Sequence, residues 1–300
     1  MAKKKKLDSG LEKIKKRTDA LVRQRPAHKD ILQFFKKVAV EQHKIRQTVK
    51  TRPFEVDRVN LTVKIDEGLP LVQKKDLTLD VDSARKLFKR LCKILSQNEK
   101  ASKDIERIDT ALRTKDIDLE ELFKQAINEN NEYISDLSRR VNLQDGMLSF
   151  LARNSVRPVF EAYANELKGH VNQARWLKGY CPICGSEPLI SVLREDGARF
   201  LVCSFCGYEW RYKRLQCPFC ENEAAQGAKY FFNEKEGRAY RVEVCEKCKR
   251  YIKTIDAMEV GKELIPLIED VGTLHLDIIA EKEGYTRGVP GILEMERMER

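Results

Sequence analysis

Eight of the nine cysteines fall into four Cys-x-x-Cys pairs, Cys181/Cys184, Cys203/Cys206, Cys217/Cys220 and Cys245/Cys248. Three chemistries could use such spacing: a disulfide framework, a redox dithiol or a metal. A chain of 300 residues buries a core of its own and does not need cysteines merely to stay folded. The lysines of "MAKKKKLDSG" precede no hydrophobic segment that could act as a signal, and no apolar run approaches the ~20 residues that span a bilayer. The expected compartment is therefore the cytoplasm, with no membrane insertion, and there clustered cysteines bind metal more often than they pair. A thioredoxin-type dithiol is usually one pair at a strand-to-helix junction, which four pairs set among strands fit poorly. Metal fits better. Two residues between cysteines let a tight turn aim both sulfurs at one ion, two turns complete a tetrahedral site, and four turns imply two ions.

The intervening sequence suggests how the turns combine. "PLISVLREDGARFLV" reads as two strands joined at Asp196-Gly197, and "AKYFFNEKEGRAYRVEV" as a second hairpin with its loop around Asn233 to Gly237. Each hairpin would bring the turns at its ends together. Sequential pairing is thus favoured, with "GYEWRYKRLQ" as a link between the two sites, and an interleaved arrangement is the alternative. Gly185 and Gly207 follow their second cysteines where a positive φ is often needed, and Pro182 and Pro218 stiffen the turns. Glu221 and Lys249 hold the equivalent places in the second site, which would make it looser or more exposed. Both ions could be plain staples, since structural zinc supplies on the order of 10 kcal/mol of folding free energy. Tyr180, Trp210, Tyr212, Tyr230, Phe231 and Phe232 read as packing against the hairpins rather than as a binding platform.

The elements that must position these turns follow from periodicity. Residues 1–175 read as an all-helical domain whose first eight to ten residues are frayed. In "DILQFFKKVAVEQHKI", Ile31, Phe34, Phe35 and Val38 share a face, and in "DSARKLFKRLCKILSQ" Leu87, Leu91 and Leu95 stack behind a cap at Asp82 or Ser83. Cys92, beside that stripe, reads as a core thiol. "FEVDRVNLTVKIDEGLPLV" reads as an extended connection. Helices follow in "DLEELFKQAINENNEYISDLSRRV" and "QDGMLSFLARNSV", and "RPVFEAYANEL" starts a new one with Pro158 in its first turn. Residues 176–215 and 216–257 form the two four-cysteine modules. Residues 258–300 form a closing helix, interrupted at Pro266, and a tail. Asp270 and Asp277 read as the wet face of that helix. The fold class is α+β.

Charge limits the function. The net charge is +10, and its excess lies in residues 1–60, where 18 Lys and Arg face 7 Asp and Glu. Residues 178–256 carry only 14 against 11. Eight thiolates around two divalent ions would bring that region to about −1. A ribbon gripping phosphates needs a local cationic surplus, so nucleic-acid binding is disfavoured there, although the basic N-terminal part could still touch RNA. His28, His43, His170 and His275 are scattered, and no Walker or dinucleotide motif is present, so an enzyme is not expected. Electron transfer stays open, because tetrathiolate iron cycles by one electron and zinc does not. Glu209, Arg211, Arg214 and Tyr251 flank the turns and are the candidate partner contacts.

"CPICGSEP", "LVCSFCGYEWRYKRLQCPFC", "VEVCEKCKRYIKTID" and "DVGTLHLDIIAEKEGY" together resemble the FdhE family, the formate dehydrogenase accessory proteins; the preceding "NSVRPVFEAYA" matches loosely. The resemblance covers about a third of the chain strongly. It implies a helical N-terminal domain followed by two tandem rubredoxin-like, or zinc-ribbon-like, modules. Each would hold one metal ion through two of the turns, with iron favoured and zinc as the alternative. It further implies a cytoplasmic maturation factor that binds the catalytic subunit of a molybdenum- or tungsten-dependent formate dehydrogenase before export. The choice between monomer and homodimer stays open.

Overall fold

The computed structural model describes residues 2–52, 58–143, 145–223 and 229–289. The lysine-rich start is helical from its second residue: α1 (Ala2–Gln24) forms an antiparallel pair with α2 (Lys29–Arg46), the chain reversing at Arg25 and Pro26. The expected frayed start is thus not what the structure has. Ile14 and Leu21 of α1 and Leu32 and Phe35 of α2 are buried, so the pair carries an apolar seam despite its charge.

The segment expected to be extended contains a helix, α3 (Arg58–Asp66), while residues 53–57 lie outside the described set. Its β-branched residues weaken helix propensity, but burial of Ile65 in the main core outweighs that. After α3 the described residues leave the helix at Gly68, which has a positive φ, and the end of the segment is strapped to the first cysteine turn. The amides of Leu71 and Val72 donate to the carbonyls of Pro182 and Ile183 at 2.8 and 3.0 Å.

α4 (Val81–Leu95) buries Leu87, Phe88 and Leu91, and Asp80 caps it by accepting from the Ser83 amide at 3.0 Å. The cap therefore precedes the expected Asp82 or Ser83 by two or three residues. α5 (Glu99–Thr114), α6 (Leu119–Ile127) and α7 (Asn131–Arg140) follow, and α6 and α7 are separated at Glu129, which has a positive φ. α8 (Asp145–Leu167) is a single helix running through Pro158, where a break was expected. Pro158 cannot donate to the carbonyl of Asn154. Gln42 Nε2 donates to that carbonyl instead at 3.1 Å, so the helix passes through without an orphaned acceptor.

After α8 the chain forms a mostly antiparallel sheet. β1 (Pro188–Leu193), β2 (Arg199–Cys203) and β3 (Glu209–Tyr212) form one ribbon, and β4 (Lys229–Phe232), β5 (Tyr240–Val244) and β6 (Arg250–Asp256) a second. The turn between β1 and β2 places Asp196 and Gly197 at φ 59° and 68°. Part of the expected link is β3. β1 and β6 pair in parallel, Val192 opposite Ile255, so the ribbons fuse into one sheet of order β3-β2-β1-β6-β5-β4. β7 (Thr286–Arg287) adds to the start of β6.

The closing segment is three short helices, α9 (Ala257–Val260), α10 (Pro266–Gly272) and α11 (Leu274–Lys282), with Pro266 opening α10. Two cores result. One joins α2 and α4–α8 to the first cysteine cluster; the other packs α1 and α2 against the sheet and α10 and α11. α2 thus contributes to both cores, Val38 and Ile45 to the first and Leu32 and Phe35 to the second. No helix among the described residues is long and apolar enough to cross a membrane.

Candidate metal centres

All four cysteine turns have the same local architecture. The first cysteine's amide donates to the carbonyl five residues on, for example Cys181 to Ser186 and Cys245 to Arg250, both at 2.9 Å. In three of the turns its carbonyl also accepts from the amide four residues on, at Gly185, Glu221 and Lys249. That fourth position has a left-handed backbone in every turn: Gly185 at φ 76°, Gly207 at 67°, Glu221 at 57° and Lys249 at 57°. The two non-glycine residues therefore keep the turn geometry rather than relaxing it.

The turns meet in sequence. Cys181, Cys184, Cys203 and Cys206 gather into one cluster and Cys217, Cys220, Cys245 and Cys248 into another, each with its sulfurs within 4.8 Å of one another. In the first, Sγ separations are 3.5 Å (Cys184 to Cys203) and 3.6 Å (Cys181 to Cys206 and Cys184 to Cys206). In the second they are 3.8 Å (Cys217 to Cys248) and 3.6 Å (Cys220 to Cys245). A tetrahedron with metal–sulfur bonds of about 2.3 Å has edges of about 3.8 Å, so both donor sets fit one ion each. Burial pushes the Cys181 and Cys206 thiols up, whereas hydrogen bonding with Cys181, Cys203 and Cys206 pushes Cys184 down. Four buried sulfurs can all be thiolates only if a cation offsets them.

The clusters differ in exposure. All four cysteines of the first are buried; in the second only Cys245 is, the others being half-buried. The first is enclosed by Phe205, edge-to-face with Phe160 of α8 at 4.6 Å, and by the strap at Leu71 and Val72. Arg250, just past the fourth turn, bonds both carboxylate oxygens of Glu187 near the first and stacks on Phe219 of the third at 4.1 Å. Gly179 lies so close to the Pro218 carbonyl that a Cβ there would sit 1.9 Å from its oxygen. The two centres are thus mechanically joined.

Trp210 and Tyr212 are buried, and the Trp210 indole donates to the Lys178 carbonyl at 3.1 Å; Tyr180, Tyr230, Phe231 and Phe232 are half-buried. Cys92 lies in the helical core, and burial, with Asp109 nearby, pushes its thiol up to about 12, which makes it a poor nucleophile.

Among the candidate partner contacts, Arg211 is exposed, Arg214 is exposed and pairs with Glu243 at 3.3 Å, and Glu209 is half-buried in a two-bond pair with Arg194 at 2.7 Å. Tyr251 does not belong with them. It is 1% exposed, because β6 turns it toward α11, where its hydroxyl donates to Asp277 at 3.0 Å.

Asp270 and Asp277, expected on a wet helix face, are buried. Lys253 of β6 reaches both carboxylates at 2.7 Å, and Arg287 of β7 pairs with Asp270 and lies 3.6 Å from Asp277. Periodicity marks them as polar but cannot supply partners from distant strands. A lysine at an inward-facing strand position was the available signal.

Two family descriptions match the chain: FdhE, central domain, over residues 180–214, and FdhE, C-terminal domain, over residues 215–293. A protein FdhE homolog of Aquifex aeolicus is 27% identical over 268 residues, 87% of each chain. The homolog of Stutzerimonas stutzeri is 34% identical over 117 residues, 38% of this chain and 37% of that one. Protein FdhE of Escherichia coli is 33% identical over 111 residues, 36% and 35%. The match thus spans little more than a third of the latter two. The crystal structure of the FdhE protein from Pseudomonas aeruginosa has the same fold, with TM-score 0.67 and 22% identity over 95% of both chains.

Proposed function

The chain belongs to the FdhE family, and from that premise we propose that it is an accessory factor for a molybdenum- or tungsten-dependent formate dehydrogenase. In this reading it binds the catalytic subunit in the cytoplasm, aids its assembly or activity before any export, and turns over no substrate itself. The observation that carries the reading is the pair of four-cysteine clusters set within the stretch, residues 180–293, that matches both FdhE domains.

The eight clustered cysteines would hold two metal ions, one per cluster, with iron favoured by the resemblance and zinc as the alternative. Iron bound there would add one-electron chemistry that zinc lacks. The protein's own contribution is to fix four turns in one rigid block, so that the surface above them is preorganised for a partner. Residues 176–215 and 216–257 would be the two metal modules, residues 1–175 the helical part, and 258–300 the closing segment. Glu209, Arg211 and Arg214 are proposed contacts at the edge of that block.

The test is anaerobic co-purification of the tagged, full-length protein from its own cells, with iron and zinc assayed in the eluate. The expected result is a formate dehydrogenase catalytic subunit with about two metal ions per chain. Cys181→Ser or Cys245→Ser should lose activation of that enzyme. Normal formate dehydrogenase activity in cells carrying only such a variant, or recovery of only nucleic acid or ribosomal proteins, would overturn the reading.

A further inference from the structure

The basic surplus of the first sixty residues has no role in the metal centres. Part of it is concentrated in one place: a groove of about 630 Å³ between α2 and α4. On α2 its wall carries Lys36, Lys37, Val40 and Lys44, which share a helix face; on α4 it carries Arg90, Lys93 and Ile94. Five lining side chains are cations and one, Glu41, is an acid.

The internal pairings leave most of that charge unspent. Glu41 is shared by Lys44 and Arg90, each at 2.6 Å, and Lys36 reaches Asp19 of α1 at 2.9 Å. Lys37 donates to Gln97, a neutral amide, at 2.6 Å. With Asp19 included, five positive charges face two negative ones. Between the charged lips, Val40 and Ile94 are half-buried and form an aliphatic floor.

That combination selects among anions. Phosphates gain nothing from an aliphatic floor, and single-stranded nucleic acid is held by aromatic platforms, of which the lining has none. A peptide gains from both features, setting carboxylates against the lysines and an aliphatic side chain on Val40 and Ile94. We propose that this groove binds an acidic segment of a partner protein, with aliphatic residues among its carboxylates. That the partner is the formate dehydrogenase catalytic subunit rests on the reading above; the groove's chemistry does not.

The test uses the full-length protein and a fluorescein-labelled synthetic helix with glutamates flanking a leucine stripe, read by anisotropy. A single-stranded RNA of equal charge serves as the competing probe. Lys37→Glu combined with Lys93→Glu alters two exposed side chains and should weaken peptide binding by about tenfold or more, and added salt should weaken wild-type binding likewise. No peptide binding by the wild type, unchanged binding by the double variant, or tighter binding of the RNA through the same lysines would overturn the proposal. In co-purification, the double variant should lose the catalytic subunit while Lys124→Glu, on α6, retains it; retention by both would overturn the groove as the docking site. Peptide binding that depends on the two lysines, with no catalytic subunit recovered even by the wild type, would uphold the groove and sink the client reading.

Discussion

Lys253 Nζ lies 2.7 Å from Asp277 Oδ2, with the lysine 1% and the aspartate 2% exposed, so an ion pair joins the sheet to its closing helices out of contact with water. Asp270 and Arg287 complete a balanced set of two positive and two negative charges. Burial alone would raise the Asp270 carboxyl, yet Arg287 and Lys253 hold it below the usual carboxylate range. Lys253→Met leaves two buried aspartates with one cation and should cost about 3–5 kcal/mol in urea unfolding. Adding Asp277→Asn restores the balance and should recover most of that loss. Equal instability of the single and double variants would mean that charge balance is not what holds the cluster.

His275 should make the protein acid-sensitive in a defined window. Its ring is 5.7 Å from that of His28 and 3.6 Å from Glu236, a carboxylate also bonded by Arg25. Burial, with Arg25, His28 and Lys253 adding repulsion, outweighs Glu236 and pushes His275 from 6.5 to about 4. The unfolded chain therefore binds this proton below pH 6.5 while the folded one resists until about 4. Stability should fall as pH drops through that interval and the contribution should level off below it. Thermal unfolding of wild type and His275→Gln from pH 7 to 4 checks this: the variant should show the shallower slope, and parallel curves would refute the assignment.

The two metal centres should empty in order. The second cluster has three half-buried cysteines and the first has none. A chelator or mercurial added to the loaded protein should therefore strip the second site first. Native mass spectrometry should catch a species with one ion whose protected cysteines are Cys181, Cys184, Cys203 and Cys206. Simultaneous loss of both ions would mean that the join through Arg250 and Gly179 makes them one unit.

Left-handed backbone costs an L-residue roughly 1–2 kcal/mol, so Glu221 at φ 57° holds strain that Gly207 at φ 67° does not. Glu221→Gly should leave the loaded protein as stable as wild type or stabilise it by up to about 1 kcal/mol, after the entropy that glycine adds to the unfolded chain. Gly207→Ala should destabilise it by about 1 kcal/mol, since ordinary contacts with Arg157 and Glu161 leave room for the methyl and strain dominates. Melting temperatures that move the opposite way would show that side-chain contacts govern these turns.

What could be read without coordinates was local. The turn around each cysteine pair closes through a bond between residues five apart, joined in three of the four by one between residues four apart. Identical spacing therefore imposes identical geometry, and the hairpins between the turns bring the right ones together. The stripe of Leu87, Leu91 and Leu95 likewise encodes a helix within its own length. The place of the α4 cap at Asp80 is not legible in the same way, because Asp80, Asp82 and Ser83 are all residue types that cap.

The sequence by itself determined the two four-cysteine clusters, the helical N-terminal part and the placement of its basic surplus, because spacing and charge act over a few residues. Only the tertiary structure decided the rest. Pro158 stays inside α8 because Gln42, 112 residues before Asn154, supplies that residue's carbonyl with the donor that proline lacks. The two ribbons become one sheet because β1 finds β6, some sixty residues on. Asp270 and Asp277 go inside rather than out because Lys253 and Arg287 arrive from strands on either side of them in the chain. Whether a carboxylate is solvated or buried depends on whether folding brings it a countercharge, and no periodicity in its own helix can reveal that.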